Sequence, residues 1–126
     1  MPSLTAAGAS LQAAARHRQV VGAFGERVAA ALLESRGVTI VDRNVRAGRG
    51  EIDLVCDIEG ERVAVEVKSL IARQLDDDPL IHFDHVKLAR VRAAGLRLDP
   101  RAYRIDVVAV TIRPDRVDVR WLPRVG

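Results

Sequence analysis

The chain has 126 residues and a formal net charge of +3, with 20 lysines and arginines against 17 aspartates and glutamates. This length suits one domain with its own hydrophobic core. The single cysteine, Cys56, excludes an internal disulfide framework and a cysteine-rich zinc site, and no apolar run is long enough to span a membrane. We therefore expect a cytoplasmic protein with no membrane partner. The modest positive charge is compatible with a phosphate-bearing partner, and equally with simple solubility.

The first 17 residues are alanine-rich, and no acidic residue occurs before Glu26. Their positive charges follow the mildly apolar stretch instead of preceding it, which is the reverse of a signal peptide. We predict a flexible basic arm over residues 1–17 and a single domain over 18–126. An organellar transit peptide is the alternative for the arm.

The first half of the domain is predicted to contain a helix and three strands. Apolar residues at helical spacing predict a helix from about Arg18 to Ser35, which Gly37 ends. A short strand over 38–43 and a basic loop over 44–50 follow. A hairpin comes next, with strands Glu51–Ile58 and Glu61–Lys68.

The second half is predicted to contain an irregular stretch over 69–83, a helix and two strands. Asp84 is a suitable N-cap for a helix that runs to about Leu98. Strands over 103–111 and 116–122 complete the chain. The predicted fold class is α/β, a mixed sheet of about five strands flanked by helices, in the order α-β-β-β-α-β-β.

The hairpin carries charged residues on one face. With Glu59-Gly60 as a two-residue turn, Asp53 lies opposite Glu66. Alternation along the strands places Lys68 on the same face, whereas Ile52, Leu54, Cys56, Ile58, Val63, Val65 and Val67 share the other, apolar face.

Two carboxylates on directly opposite residues have Cβ atoms about 4.5–5.5 Å apart and repel each other, so they favour a bound cation. Mg²⁺ suits this position because it takes hard oxygen ligands. Lys68 projects toward the same place, where an amine can orient or deprotonate water. The alternative is a solvent-facing sheet with ordinary Glu–Lys pairs. The first helix is apolar nearly all round, which suggests that both sheet faces are covered and favours a site.

The order Asp53, then Glu66-x-Lys68 on the next strand, resembles the signature of PD-(D/E)XK nucleases. A longer pattern is similar to the YraN-like family of bacterial proteins, which resemble archaeal Holliday junction resolvases. The resemblance covers about residues 20–110, and its motifs are Gly22-x-x-Gly25-Glu26, Arg43-Asn44-x-Arg46, Gly50-Glu51-Ile52-Asp53, Val65-Glu66-Val67-Lys68 and Arg104-Ile105-Asp106-Val107-Val108.

The resemblance implies a restriction-endonuclease-like core and a metal-dependent nuclease that hydrolyses DNA, by analogy branched or structured DNA. Asp53 and Glu66 would bind Mg²⁺ or Mn²⁺, Lys68 would assist the nucleophile, and Glu26 would complete the acidic cluster. The analogy with resolvases also implies a homodimer.

Five basic residues are the candidates for contacts with nucleic acid: Arg43, Arg46, Arg49, Arg73 and Lys87. Leu70 stands where the family usually has a basic residue, and the following loop holds three aspartates in place of glycines. This departure favours the alternative, a catalytically inactive nucleic-acid-binding protein on a nuclease fold. A third reading is a protein-interaction scaffold.

Other residues are interpreted as structural. His82 and His85 flank Asp84 and are assigned to a helix start instead of a metal cluster. Cys56 is expected to be buried and inert. The remaining interpretations are a solvated loop for 76–78 and an anchor for the last strand at Trp121, with base stacking as the alternative for Trp121.

Overall fold

A computed structural model describes residues 6–48, 50–81, 89–93 and 104–125. One helix and five strands follow in chain order: α1 (Ala6–Ser35), β1 (Thr39–Ala47), β2 (Gly50–Ile58), β3 (Glu61–Ile71), β4 (Arg104–Ile112) and β5 (Val117–Leu122). Residues 89–93 are also helical and lie in the connection between β3 and β4.

The five strands form one mixed sheet in the order β1-β2-β3-β4-β5. β3 and β4 are parallel and the other neighbours are antiparallel. A parallel pair needs a long crossover connection, usually helical, and the helical residues 89–93 lie in that crossover. The predicted α/β class, the mixed five-stranded sheet and the order α-β-β-β-α-β-β are confirmed. The predicted start of the second helix, Asp84, lies outside the described residues.

Helix α1 is longer than the sequence pattern predicted. The expected start of the helix near Arg18 is wrong, since the helix begins at Ala6. Residues 10–20 are exposed except for the half-buried Ala15. Alanine has the highest helix propensity, so the alanine-rich segment extends the helix beyond the part that packs on the sheet. The division of the chain into an arm and a domain at residue 18 stays a prediction. Within the described part of the chain, no helix is long and apolar enough to cross a membrane.

The end of α1 is a Schellman motif, as the glycine at position 37 predicted. Gly37 has a φ of 86°, and its N–H donates to the Glu34 carbonyl at 3.1 Å. The Val38 N–H donates to the Leu33 carbonyl at 3.0 Å. These two hydrogen bonds satisfy carbonyls that the helix leaves without partners and turn the chain into β1.

The hairpin of β2 and β3 has the predicted register over most of its length. Ile58 pairs with Glu61 and Leu54 pairs with Val65. Glu59 and Gly60 have φ angles of 49° and 82°, so both turn residues are left-handed, as a type I′ turn requires.

Strand β1 corrects the prediction of a basic loop over 44–50. The strand continues to Ala47, and Arg46 pairs with Glu51. Asn44 has a φ of 51°, a conformation that asparagine adopts more readily than most residues. β1 is an edge strand, and edge strands commonly carry charged side chains. The basic residues that indicated a loop are therefore compatible with this strand.

Two apolar clusters lie on opposite faces of the sheet. The larger joins α1 to the face that includes Leu54, Val65 and Val108. The smaller cluster contains Ile52, Ala64, Ile105 and Val91, and Val91 belongs to the helical residues 89–93. Both faces of the sheet are therefore covered. Ile52 therefore does not share a face with Leu54, which corrects the predicted apolar face of the hairpin.

Candidate functional site

The ladder between β2 and β3 ends one pair before the two predicted acids would face each other. Its last pair in the described hairpin is Leu54 with Val65. Beyond this pair, a side-chain hydrogen bond joins the two strands instead of a backbone pair. Asp53 Oδ2 accepts a hydrogen bond from the backbone N–H of Val67 at 2.8 Å. Asp53 is 8% exposed. A buried carboxylate that accepts a backbone N–H is held in one orientation by a charge-assisted hydrogen bond.

The break at Asp53 also explains why Ile52 and Leu54 lie on opposite faces of the sheet. Side chains two residues apart share a face in a regular strand. These two belong to different apolar clusters, so β2 is irregular between them. The sequence pattern assumed perfect alternation here, and the predicted direct opposition of Asp53 and Glu66 in the ladder is not observed.

A cleft of about 760 Å³ lies between α1 and β3 and contains three of the four predicted catalytic residues. These are Glu26 from α1, Asp53 from β2 and Lys68 from β3. The other lining residues are His17, Arg18, Val21, Gly22, Val67, Ser69, Leu70, Ile71 and Arg73. Two carboxylates therefore face the same space as several basic side chains, with Arg18 on one wall and Arg73 on the other. We call this space the acid–lysine cleft.

A close helix–sheet contact forms the inner end of this cleft. Gly25 is buried against β3, and a Cβ atom on it would overlap Ser69 Oγ and lie 2.8 Å from Ser69 Cβ. Only a glycine fits without movement of the helix or the strand. Glu26 and Lys68 are the neighbours of these two residues in sequence, so the contact fixes the separation of the walls that carry them.

Glu66 is placed differently from the other three. It lies in β3, is 1% exposed and pairs in register with Val107. In the described part of the chain it is not among the residues that line the acid–lysine cleft, although the next residue, Val67, is. No group of three or more histidine, cysteine, aspartate or glutamate side chains is arranged to hold a metal ion among residues 6–48, 50–81, 89–93 and 104–125.

Of the five basic residues predicted to bind nucleic acid, the three that the structure describes do not lie in one place. Arg73 lines the acid–lysine cleft, whereas Arg43 lies 3.6 Å from Glu34 and lines a separate cleft beside β1. Arg46 is exposed on the edge strand. Arg49 and Lys87 lie outside the described residues.

Sequence reasoning missed Arg18 and His17 as residues of the site. Arg18 precedes Gly22 by four positions and Gly25 by seven, so all three belong to the same face of a helix. The predicted helix began at about Arg18, so this spacing was already present within it, whereas His17 lies one residue before that start.

Residues 76–78 form part of an exposed to half-buried loop after β3, which agrees with the interpretation of a solvated loop, and hydrogen bonds to two of its aspartates order it. Asp77 Oδ2 accepts hydrogen bonds from the backbone N–H groups of Arg73 and Gln74 at 2.8 and 3.0 Å. These bonds, the Arg73 one first, hold the pKa of Asp77 below its usual value. Asp78 accepts a hydrogen bond from Arg120 at 2.6 Å. Asp77 therefore holds the backbone of Arg73 beside the cleft, and the bond between Asp78 and Arg120 ties the loop to β5.

Two further interpretations are confirmed. Cys56 is fully buried, and burial raises the pKa of its thiol to about 12, so it is not a thiolate nucleophile at neutral pH. Trp121 donates from Nε1 to Asp106 Oδ2 at 2.9 Å and packs against the larger cluster, which anchors β5. The interpretation of His82, Asp84 and His85 concerns residues outside the described ranges.

Comparison with known proteins identifies one family. A family model described as "Uncharacterised protein family UPF0102" matches residues 25–110. A UPF0102 protein of Beutenbergia cavernae is 40% identical over 101 residues, which cover 75% of this chain and 85% of that protein. One from Anaeromyxobacter dehalogenans is 40% identical over 115 residues, 84% of this chain and 83% of its own. The matched range contains Glu26, Asp53, Glu66 and Lys68.

Proposed function

The chain belongs to the family UPF0102, and we propose that it is a metal-dependent nuclease that binds and hydrolyses DNA. The observation that carries the proposal is the acid–lysine cleft. A buried, oriented aspartate, a glutamate and a lysine line one open cleft, with an arginine on each wall. Charged groups gathered in a cleft beside the core are candidates for a functional site, and carboxylates with a lysine suit metal-assisted hydrolysis of a phosphodiester.

The carboxylates at the cleft fit a Mg²⁺ ion. Mg²⁺ is usually held by one or two carboxylates together with water and substrate phosphate, not by a cage made only of protein ligands. Asp53 and Glu26 both line the cleft. Because Asp53 Oδ2 is fixed by the Val67 N–H, its carboxylate is already oriented. Glu66, the second ligand predicted from the sequence, stays a prediction. When bound, the ion would supply positive charge at the scissile phosphate and lower the pKa of a water ligand.

The basic residues have separate roles in this proposal. Arg18 on α1 and Arg73 after β3 would contact phosphates on the two sides of the cleft, and such contacts position the substrate without reading its sequence. Lys68 lines the same cleft, where its amine would orient the attacking water and stabilise the negative charge that develops on the phosphate.

A second candidate function is a nucleic-acid-binding protein that does not cut. It is favoured by one observation: the described residues contain no group of three acidic or other metal-binding side chains in position to hold a metal. Arg18, Arg73 and the neighbouring His17 would bind phosphate in either case. Both functions predict salt-dependent binding, and only the first predicts cleavage.

The test is cleavage of labelled linear duplex, single strand, flap and four-way junction DNA with Mg²⁺ or Mn²⁺. We expect the wild type to cut at least one shape, and Asp53→Ala and Lys68→Ala to lose the activity. Asp57→Ala is a matched control, because Asp57 lies in the same strand but is 44% exposed and paired with Arg62. Binding without cleavage by the wild type would favour the second function. Equal cleavage by Asp53→Ala would contradict the proposed site. The same panel tests the preference for branched DNA, and sedimentation of the wild type tests the homodimer.

A further inference from the structure

A second, smaller cleft continues from the acid–lysine cleft. It has a volume of about 330 Å³ and lies between the end of β3 and residues 77–81. Four residues line both spaces: Ser69, Leu70, Ile71 and Arg73. A strand bound across the first cleft would therefore pass Arg73 and reach the second.

The second cleft is lined by exposed apolar side chains. Ile71 is 39% exposed and Ile81 is 64% exposed. Three of the seven large hydrophobic side chains exposed in the described ranges fall within residues 71–81, the third being Leu75. Isolated exposed hydrophobic residues are common, but Ile71 and Ile81 line one cleft together with Pro79, which indicates a surface that a ligand covers.

The charges of the second cleft exclude a phosphate from its interior. Asp77 and Asp78 line it, and Arg73 is the one cation among its described lining residues. Arg73 lines both clefts, whereas Asp77 and Asp78 line only the second. A phosphate is therefore favoured at Arg73 and an uncharged, flat group beyond it.

The loop that forms the far wall is ordered by internal hydrogen bonds. Asp77 accepts hydrogen bonds from two backbone N–H groups, as described above. Asp78 Oδ1 also accepts a hydrogen bond from the Leu80 N–H at 2.9 Å. Arg113 donates to the Leu75 carbonyl at 3.3 Å and ties the loop to the end of β4. A cleft whose wall is already ordered loses little conformational entropy when a ligand binds.

We propose that the second cleft binds the base of the nucleotide next to the phosphate held at the acid–lysine cleft. This inference rests on the proposed function and adds the substrate class. The volume is near the lower end of the roughly 300–1,000 Å³ found for small-molecule sites, which suits one base and not a duplex. A base stacked in a duplex does not reach such a cleft, so the substrate has an unpaired nucleotide at this position. Ile71 and Ile81 pack against the base and Arg73 contacts its phosphate.

The test compares binding of two single strands with the same backbone charge, a ten-residue oligothymidylate and a ten-residue strand of abasic sites. The variants are Ile81→Ser and a matched control, Leu11→Ser, which changes a 72% exposed residue outside both clefts. Fluorescence anisotropy with Ca²⁺ in place of Mg²⁺ measures affinity. We expect the wild type and Leu11→Ser to prefer the strand with bases about tenfold, as stacking of a base on a side chain allows. We expect Ile81→Ser to bind both strands alike. Thermal melting should be unchanged in both variants, since both residues are exposed.

Each other outcome overturns the inference in a distinct way. If the wild type binds both strands equally, the base subsite is wrong and DNA binding stands. If it binds neither strand nor any member of the cleavage panel, the proposed function fails and the subsite with it. If Ile81→Ser keeps the preference for bases and instead alters the oligomeric state, the apolar cleft is a contact between copies of the chain.

Discussion

Substitution of Gly25 by alanine tests the helix–sheet contact on which the acid–lysine cleft depends. The new Cβ would overlap Ser69 Oγ and lie 2.8 Å from Ser69 Cβ. A rotation of the Ser69 side chain removes the first clash but not the second, so α1 or β3 must shift by several tenths of an ångström. Overpacking of this kind costs about 1–3 kcal/mol. Alanine in a helix interior recovers about 0.5–1 kcal/mol relative to glycine. We expect a net loss of up to about 2.5 kcal/mol in the free energy of unfolding.

Gly22→Ala is the control, because Gly22 lies one turn earlier in α1 and a Cβ on it would meet no atom within 4 Å. It gains the helix propensity without the clash, so it should be more stable than the wild type by about 0.5–1 kcal/mol. Urea denaturation followed by circular dichroism measures both. Ser69→Gly removes both clashing atoms, so it should reduce the cost of Gly25→Ala by about 1 kcal/mol or more in a double-mutant cycle.

Two results would contradict this contact between Gly25 and Ser69. In one, Gly25→Ala is as stable as Gly22→Ala; in the other, Ser69→Gly does not reduce the stability lost in Gly25→Ala. Either result would mean that α1 does not lie against β3 as closely as described. The walls of the acid–lysine cleft would then be set by other contacts.

Three further predictions concern other parts of the molecule. Asp106→Ala should lower the free energy of unfolding, measured by urea denaturation, by about 3–5 kcal/mol. The substitution removes the carboxylate to which Arg104, only 9% exposed, donates two hydrogen bonds of 3.0 Å, and so leaves a buried charge without this partner. A stability within about 1 kcal/mol of the wild type would contradict the role of this pair. Burial raises the pKa of the Cys56 thiol from 9.0 to about 12, so the unfolded thiol ionises first and stability should fall as the pH rises from about 9 toward 12. Denaturation at pH 8 and pH 10 should give a smaller pH dependence for Cys56→Ala, and an equal one would contradict the raised pKa. Arg73→Ala should weaken DNA binding and reduce the slope of log affinity against log salt by about 1, whereas Arg43→Ala, outside the acid–lysine cleft, should change it less.

The parts of the fold that the sequence predicted well depend on local rules. The Glu59-Gly60 turn determined the register from Ile58↔Glu61 to Leu54↔Val65. A two-residue turn makes its two flanking residues partners, and all further pairs of the two strands follow from that one. The bounds of β4 and β5 differ from the predicted ones by a residue at each end, apart from the end of β5, which agrees.

The errors arose where tertiary contacts override a local pattern. The basic residues of 44–50 indicated a loop, yet the segment to Ala47 pairs with β2 as an edge strand. The left-handed Asn44 lies between two regular pairs and is not visible in a pattern of polar and apolar residues. The irregularity at Asp53 is of the same kind, because the hydrogen bond to Val67 joins residues 14 positions apart.

The candidate site was predicted in its residue types and only partly in its assembly. Asp53, Lys68 and Glu26 line one cleft as a group, whereas Glu66 is buried outside the lining. Alternation along two ideal strands would have brought Glu66 opposite Asp53, and the real strand breaks at that pair. Arg18 was missed although the predicted helix began there, because the face that it shares with Gly25 was not used to assign the site. Its helical spacing to Gly25 is present in the sequence.

Binding of Mn²⁺ to the isolated protein tests the central claim most directly, because it does not depend on finding the correct substrate. Isothermal titration with Mn²⁺ would compare the wild type with Asp53→Asn, Glu26→Gln and the control Asp57→Asn. If the acid–lysine cleft is a metal site, the wild type and Asp57→Asn bind about one ion per chain, and the two cleft variants bind it at least tenfold more weakly. If the wild type binds no Mn²⁺, or if Asp53→Asn binds it as well as the wild type does, the cleft is not a metal site and the account of a metal-dependent nuclease is contradicted.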